Sequence, residues 1–333
     1  MRNDGLTKPK ADINKLLEKQ GFSIMRQNIY NNRMQKLFSA FRDVGKIMNQ
    51  LEKDDVFIVN YPTDMGGVFD HLLLDKLKKK NVRAIAIVHD IDALRFKVPV
   101  YKNLKHEIKI LNKYSCVIVP NAVMKAKLLK KGLNTKTVVL GLFDYLTNRN
   151  VLKKKIKYSN MVSFTGNLNK ANFVNDLHND SQVSYALYGP IEDTSNVPSE
   201  LYEGSFDSEI LIEKVTNGFG LIWDGKSSVA IDTSVISSGS YLLYNNPYKL
   251  SFYIAAGIPV VIWKRAAEGT FVRENGIGIL VDSLSEVGKL IDGISEAEYI
   301  EMKNNVRKIQ KRVITGWYIN TAVKNALSLI NNE

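Results

Sequence analysis

Asn246-Pro247-Tyr248-Lys249-Leu250-Ser251-Phe252-Tyr253-Ile254-Ala255-Ala256-Gly257-Ile258-Pro259-Val260-Val261-Ile262 joins a lone cation, a short helix, a Gly-x-Pro stop and an apolar strand. Gly257 and Pro259 end the helix and turn the chain into the apolar run from Val260, which is short enough to be a buried parallel strand. Lys249 then falls near the helix start. Free N–H groups, the helix dipole and an ammonium together favour a diphosphate there. The same residues also read as a plain helix-to-strand connection with a solvated lysine.

Outward from this segment, strand-like runs alternate with helix-like ones, the sign of parallel sheets covered by helices on both faces. In the first half the expected strands are Val56 to Asn60, Ala84 to His89, Cys116 to Pro120 and Val138 to Gly141. Helices are expected at Phe69 to Lys80, Leu104 to Lys113 and Ala122 to Lys131, the last closed by Gly132. A basic stretch without apolar periodicity, Asn148 to Tyr158, reads as an interdomain linker.

The second half repeats the alternation. Strands are expected at Met161 to Thr165, Ser184 to Gly189, Gly218 to Trp223, Val260 to Trp263 and Gly278 to Val281. Helices fall near Ser208 to Asn217, Leu284 to Gly293 and Glu296 to Gly316. The fold class is thus α/β, with two doubly wound domains facing a cleft: residues 1–150, residues 151–316, and a final helix over 317–333. Met1 to Lys10 is polar and loop-like, where such a domain usually begins with a buried strand.

A chain of 333 residues suits two domains of this kind. The net charge of +12 favours an anionic partner: a nucleotide, nucleic acid, an acidic glycan or, peripherally, a membrane surface. No nucleic-acid-binding signature accompanies the lysines, so no nucleic-acid partner is expected. One cysteine, Cys116, in the apolar run Cys116-Val117-Ile118-Val119, fits a buried strand position and a reducing, cytoplasmic setting. No apolar stretch approaches the roughly 20 residues that span a bilayer.

Ligands of parallel sheets bind beyond the carboxyl ends of the strands, so the loops there carry the candidates. Strand Val56 to Asn60 runs into Tyr61-Pro62-Thr63-Asp64-Met65-Gly66-Gly67, whose paired Gly66 and Gly67 either admit a ligand close to the backbone or make a tight turn. His89-Asp90-Ile91-Asp92-Ala93-Leu94-Arg95 places an imidazole and two carboxylates at a strand end. His89 or Asp90 there is either a general base or, respectively, a packed ring and a helix cap.

In the second half, Gly166-Asn167-Leu168-Asn169-Lys170 suits a phosphate or a sugar hydroxyl, although Asn167 also fits a turn. Tyr188-Gly189-Pro190 and the later Phe206 offer main-chain groups and an aromatic edge to a base, or simple packing. Asp224 to Asn245, rich in serine and glycine, reads as a flap from which Tyr241 and Tyr244 reach a ligand. The spacing matches neither a dinucleotide fingerprint nor a P-loop.

With these residues in place, the chain resembles bacterial glycosyltransferases of the GT-B fold. It is most similar to the glucosyltransferases that add the second sugar to serine-rich-repeat adhesins, and to relatives described as galactofuranosyltransferases. The carrying segments are Asn60-Tyr61-Pro62-Thr63, Val88-His89-Asp90-Ile91 with Leu94, Phe164-Thr165-Gly166-Asn167, Gly218-Phe219-Gly220-Leu221-Ile222-Trp223, and the run from Tyr248 to Val261.

The resemblance implies transfer of a hexosyl unit, glucose first, from a UDP-sugar to a sugar on a protein or oligosaccharide. Its alternatives are galactofuranosyl or other hexosyl transfer in cell-surface polysaccharide synthesis, or a non-catalytic nucleotide-sugar-binding subunit. Lys249 matches the diphosphate-binding lysine, flanked by Asn246 and Tyr248, and Gly5 matches an N-terminal glycine loop. A homo-oligomer, tetramer or dimer, is implied, and no metal or other cofactor is expected.

Overall fold

The computed structural model describes residues 7–99 and 102–331. Its contacts divide the chain into two units: Ile13–Gly141 with the chain from Ile319 onward, and Leu142–Tyr318 with the chain up to Asp12. The division falls inside two helices, α1 (Lys8–Lys19) and the last helix of the chain.

In the first unit, α1 and α2 (Arg33–Met48) precede the sheet, so the expected polar loop gives way to helix at Lys8. The sheet is entirely parallel, in the order β1 (Val56–Tyr61), β2 (Arg83–Val88), β3 (Cys116–Val119) and β4 (Lys136–Val139). The connections carry α3 (Gly67–Lys79), α4 (Asp92–Arg95), α5 (Leu104–Leu111) and α6 (Ala122–Lys130). Spatial order follows chain order, and crossovers between parallel strands are right-handed, so α3, α5 and α6 cover the same face.

Every residue of β3, and all but the first of β2, is buried, which requires cover on the other face as well. Hydrogen bonds place α1 and α13 (Trp317–Asn331) there: Asn60 donates to Asn14 at 2.8 Å and Lys136 Nζ to the Leu329 carbonyl at 2.7 Å. Apolar residues of α13 at Ile319, Ala322, Val323, Ala326 and Ile330 recur at helical spacing and are all buried.

The second unit holds a six-stranded parallel sheet in the order β10-β9-β8-β5-β6-β7. Its strands are β5 (Lys157–Thr165), β6 (Ser184–Tyr188), β7 (Tyr202–Gly204), β8 (Asn217–Ile222), β9 (Val260–Trp263) and β10 (Gly278–Val281). Strand β5 begins at Lys157, inside the expected linker. Helices α7 (Ser208–Lys214), α8 (Ser238–Tyr241), α9 (Tyr248–Ala256), α10 (Gly269–Glu274), α11 (Val287–Asp292) and α12 (Glu296–Val313) complete the unit. From β5 the sheet winds outward through β6 and β7, and then resumes on the other side of β5 with β8. The winding therefore reverses between β5 and β8.

Helix α9 is buried from Leu250 to Ala256 and ends on Gly257, whose φ of 85° is the left-handed conformation expected of a glycine stop. It lies tightly on β8: a Cβ added to Gly220 would stand 2.2 Å from the Tyr253 ring. The Tyr253 hydroxyl then reaches the edge of β5, donating to the Ser163 carbonyl at 2.8 Å and accepting from the Thr165 N–H at 2.9 Å. Among the described residues no helix is long and apolar enough to cross a membrane.

Candidate functional site

The reversal between β5 and β8 opens a crevice at the carboxyl ends of the two strands, the place where sheets of this kind take ligands. Lys249, in the first turn of α9, reaches it. Its Nζ lies 2.6 Å from Asp224 Oδ1 and 3.5 Å from the Trp223 carbonyl, both just past the end of β8. On the β5 side the ammonium stands 4.6 Å from the centre of the Phe164 ring, a cation–π contact.

Gly166 keeps this corner open. A Cβ there would come within 3.1 Å of the Phe164 ring and 3.9 Å of Lys249 Nζ. Gly189 closes the strand ends together: at φ 146°, its missing Cβ would sit 1.7 Å from the Gly166 carbonyl oxygen. The backbone bond from Gly166 N–H to the Tyr188 carbonyl, 3.0 Å, fixes that approach. Pro247, ahead of α9, supplies no side-chain cap, and the N–H groups of Tyr248 and Lys249 have no acceptor within the helix. An ammonium, open helical N–H groups and a glycine-lined backbone suit a phosphate-bearing ligand.

The start of α9 is held by residues the sequence reading did not single out. Asp12, 2% exposed, accepts from the Tyr248 hydroxyl at 2.8 Å, from the Leu146 N–H at 2.9 Å and from Lys8 Nζ at 2.8 Å. Burial, the Asp12 charge and its hydrogen bond push the Tyr248 hydroxyl well above its ordinary pKa. The Tyr248 ring packs on Tyr145, centroids 5.2 Å apart, and its role visible here is to anchor the helix that presents Lys249.

The other candidates of this unit lie at varied distances from chemistry. Asn167 caps a short turn by accepting from the Asn169 N–H at 3.0 Å, and Lys170 is exposed beyond it. Tyr188 and Phe206 pack as neighbours, centroids 6.4 Å apart, with Lys214 Nζ over the Phe206 ring at 4.3 Å. Asn246 is buried and Tyr244 half-buried. Asp224 to Asn245 is no free flap. Trp223 Nε1 donates to the Ser227 carbonyl at 3.0 Å, Ser228 accepts from the Leu284 N–H at 2.8 Å, and Ile231 and Tyr241 are buried. Tyr241 therefore packs into the core.

In the other unit, His89 and Asp90 follow β2. His89 Nε2 lies 2.8 Å from Asn60 Oδ1, and the Asn60 amide donates onward to Asn14 at 2.8 Å. The Asn60 side chain thus links His89 to Asn14. Asp90 is ion-paired with Arg95. Gly66, at φ 95°, precedes α3, and a Cβ on Gly67 would stand 3.5 Å from His106 Nε2. Gly5 lies outside the described residues.

Two buried carboxyls near these loops lacked any sequence signal. Desolvation pushes Glu107 up to about 7, although the Tyr61 hydroxyl and the Asp92 and Ala93 N–H groups donate to it. Desolvation likewise raises Asp70 to about 6, against the Thr63 hydroxyl that donates to it at 2.6 Å. A cavity of about 380 Å³, lined in part by Lys78, Arg83, Asn112 and Lys113, lies at the amino ends of β2 and β3, the wrong end of the sheet for a ligand site of this class.

The chain matches known proteins in sequence and in fold. Residues 1–142 match the model of the glucosyltransferase 3-like N-terminal domain, and residues 162–326 that of the C-terminal domain. Glucosyltransferase 3 of Streptococcus parasanguinis is 30% identical, over 82% of this chain and 78% of its own. The β-1,6-galactofuranosyltransferase WbbI of Escherichia coli (strain K12) is 28% identical, over 98% of this chain and 95% of its own.

Among solved structures, a sucrose-phosphate synthase from Thermosynechococcus elongatus superposes with a TM-score of 0.57 at 13% identity, covering 91% of this chain and 81% of that one. An α,α-trehalose-phosphate synthase (UDP-forming) from Burkholderia vietnamiensis gives 0.56 at 11% identity, covering 90% and 81%. At such identities the likeness shows the fold alone, and that fold is GT-B, as expected.

Proposed function

The chain belongs to the glucosyltransferase 3-like family of glycosyltransferases, and on that premise we propose that it transfers glucose from UDP-glucose to a sugar already on a protein or oligosaccharide. The observation that carries this reading is Lys249 at the β5/β8 crevice, on the first turn of a helix with open N–H groups. In the reaction the bond between the anomeric carbon and the diphosphate oxygen breaks, and the acceptor hydroxyl oxygen forms the new bond. The hydroxyl proton passes to a base, for which His89 and Asp90 are the candidates. The departing UDP takes the electron pair, and Lys249 and the α9 N–H groups stabilise its charge. Lys170, Asn167 and Asn246 are candidate contacts to the donor.

A positively charged corner of this kind supplies the leaving-group stabilisation that a metal would otherwise give, so we propose transfer without a metal ion. The lone buried cysteine suits a cytoplasmic enzyme. The family resemblance suggests a homo-oligomer, a tetramer in the first instance, and an adhesin-like glycoprotein as acceptor.

Galactofuranosyl transfer is the second reading, favoured by the relative that matches 98% of the chain. A screen of UDP-glucose, UDP-galactofuranose, UDP and non-uridine nucleotides for thermal stabilisation, followed by turnover with glycosylated acceptors, tests both. A ligand that binds only the native state raises the melting temperature. Stabilisation by UDP-glucose with acceptor-dependent turnover supports the first reading, and selective turnover of UDP-galactofuranose the second. Stabilisation only by non-uridine nucleotides refutes both. Uridine-nucleotide binding without turnover on any acceptor would instead indicate a non-catalytic subunit.

A further inference from the structure

Helix α2 carries two apolar faces, and only one is used by the fold. Ala40, Val44 and Ile47 are buried. Met34, Leu37, Phe38 and Phe41, spaced as one side of a helix, face outward, with Phe38 72% and Phe41 65% exposed. Ile29, in the segment just before, is 62% exposed. Large aromatic side chains clustered in the open mark an interaction surface.

The charge around this stripe is of one sign. Between residues 25 and 50 the basic residues are Arg26, Arg33, Lys36, Arg42 and Lys46, and the only acid is Asp43. Asp43 is 3% exposed and lies beneath the Arg42 guanidinium, which donates to it at 3.0 Å. What the segment presents outward is therefore apolar and cationic together. An amphipathic helix with Phe and Leu on one side and Arg and Lys beside them is the form that lies in the interface of an anionic bilayer.

We infer that α2 docks this protein on an anionic membrane surface, with Phe38, Phe41, Met34 and Leu37 entering the acyl boundary and Arg42 and Lys46 meeting the headgroups. On this face a second copy of the chain is the poorer fit, so the proposed oligomer is assigned to other surfaces. A stable dimer takes about 20–30 residues from each partner, far more than this stripe offers. A two-fold contact through α2 would also set its cations against themselves with no exposed acid in the segment to pair them. Docking of this kind goes beyond the proposed transfer reaction and suits an enzyme whose acceptor is held at a membrane.

Flotation of the full-length protein with vesicles tests this without any sugar donor, so it stands apart from the donor assignment. Vesicles of phosphatidylcholine alone are compared with vesicles that also contain phosphatidylglycerol. The wild type is expected to float with the anionic vesicles only and to be released by salt. The double variant Phe38→Ser/Phe41→Ser is expected to bind about tenfold more weakly or worse, with an unchanged melting temperature because both rings are exposed. Lys46→Glu, which leaves the apolar stripe intact, is expected to weaken binding as well. Failure of the wild type to float, or equal flotation of wild type and both variants, overturns the inference. So does an oligomer, seen by light scattering, that falls to monomers in the double variant, because the stripe is then covered by a second copy.

Discussion

Lys249 Nζ and Asp224 Oδ1 stand 2.6 Å apart at the crevice between β5 and β8, so the cation that suits a diphosphate is paired with a carboxylate of the chain itself. Both side chains are partly exposed, at 19% and 29%, and a screened pair of this kind contributes only about 0.2–1 kcal/mol. A diphosphate, with more charge and more acceptor oxygens, is expected to outcompete it. Asp224→Asn removes the competitor and is expected to tighten UDP binding about two- to fivefold in calorimetry. Weaker binding in this variant would mean that Asp224 instead holds Lys249 in its working position.

The two glycines of the crevice separate architecture from ligand space. Gly189→Ala drives a Cβ into the Gly166 carbonyl from a positive φ, and is expected to destabilise the protein by roughly 2–4 kcal/mol in chemical denaturation. Gly166→Ala meets the Phe164 ring edge tightly and Lys249 Nζ at ordinary contact distance, and is expected to cost about 1 kcal/mol or less in stability. It also narrows the space beside Lys249, so UDP affinity falls in this variant more than stability does. Equal stability of the two variants would contradict this division.

Asp70 gives stability a pH dependence whose sign is fixed by its burial. Its carboxyl is raised from 3.8 to about 6 in the folded protein, so the fold favours the protonated form. That contribution is fully present below about pH 4 and is lost as pH rises through about 6, a swing of roughly 3 kcal/mol at most. Asp70→Asn keeps an acceptor for the Thr63 hydroxyl and removes the titration. Relative to wild type, the variant should gain about 2–3 kcal/mol between pH 4 and pH 7 in urea denaturation. A constant difference across this range would show that Asp70 is not held neutral by burial.

The parallel strands were legible because buried strands are short apolar runs bounded by Gly, Pro and polar residues, as in Cys116-Val117-Ile118-Val119 and Val260-Val261-Ile262-Trp263. Helix α2 was missed. Its helical period was nonetheless present in the sequence, with Gln35, Ser39, Arg42 and Lys46 along one polar side and Met34, Leu37, Phe38 and Phe41 along an apolar one. Tyr202–Gly204 is only three residues long, too short to carry an alternation, and it forms β7 by pairing with β6. Lys157 was assigned to a linker because strand β5 starts at its polar, exposed end.

At the site, Lys249 was legible from its place after Pro247 and before a Gly-x-Pro stop. Its partner was not: Asp224 is 25 residues away, at the far end of the segment that leads from β8 to α9. Asp12 is more remote still, 236 residues from the Tyr248 hydroxyl it accepts from. Glu107 and Asp70 look in sequence like ordinary polar positions of α5 and α3, and their raised pKa values follow from tertiary burial that no local pattern announces.

The central claim is that the β5/β8 crevice holds the diphosphate of a uridine nucleotide through Lys249. Calorimetric titration of UDP into the wild type and Lys249→Ala tests it most directly, with melting temperatures as the check on folding. The wild type is expected to bind, and the variant to lose about 1.5–3 kcal/mol, roughly 10- to 150-fold in Kd, while remaining folded. Equal affinity in the two proteins, or no binding of UDP to the wild type, would contradict it.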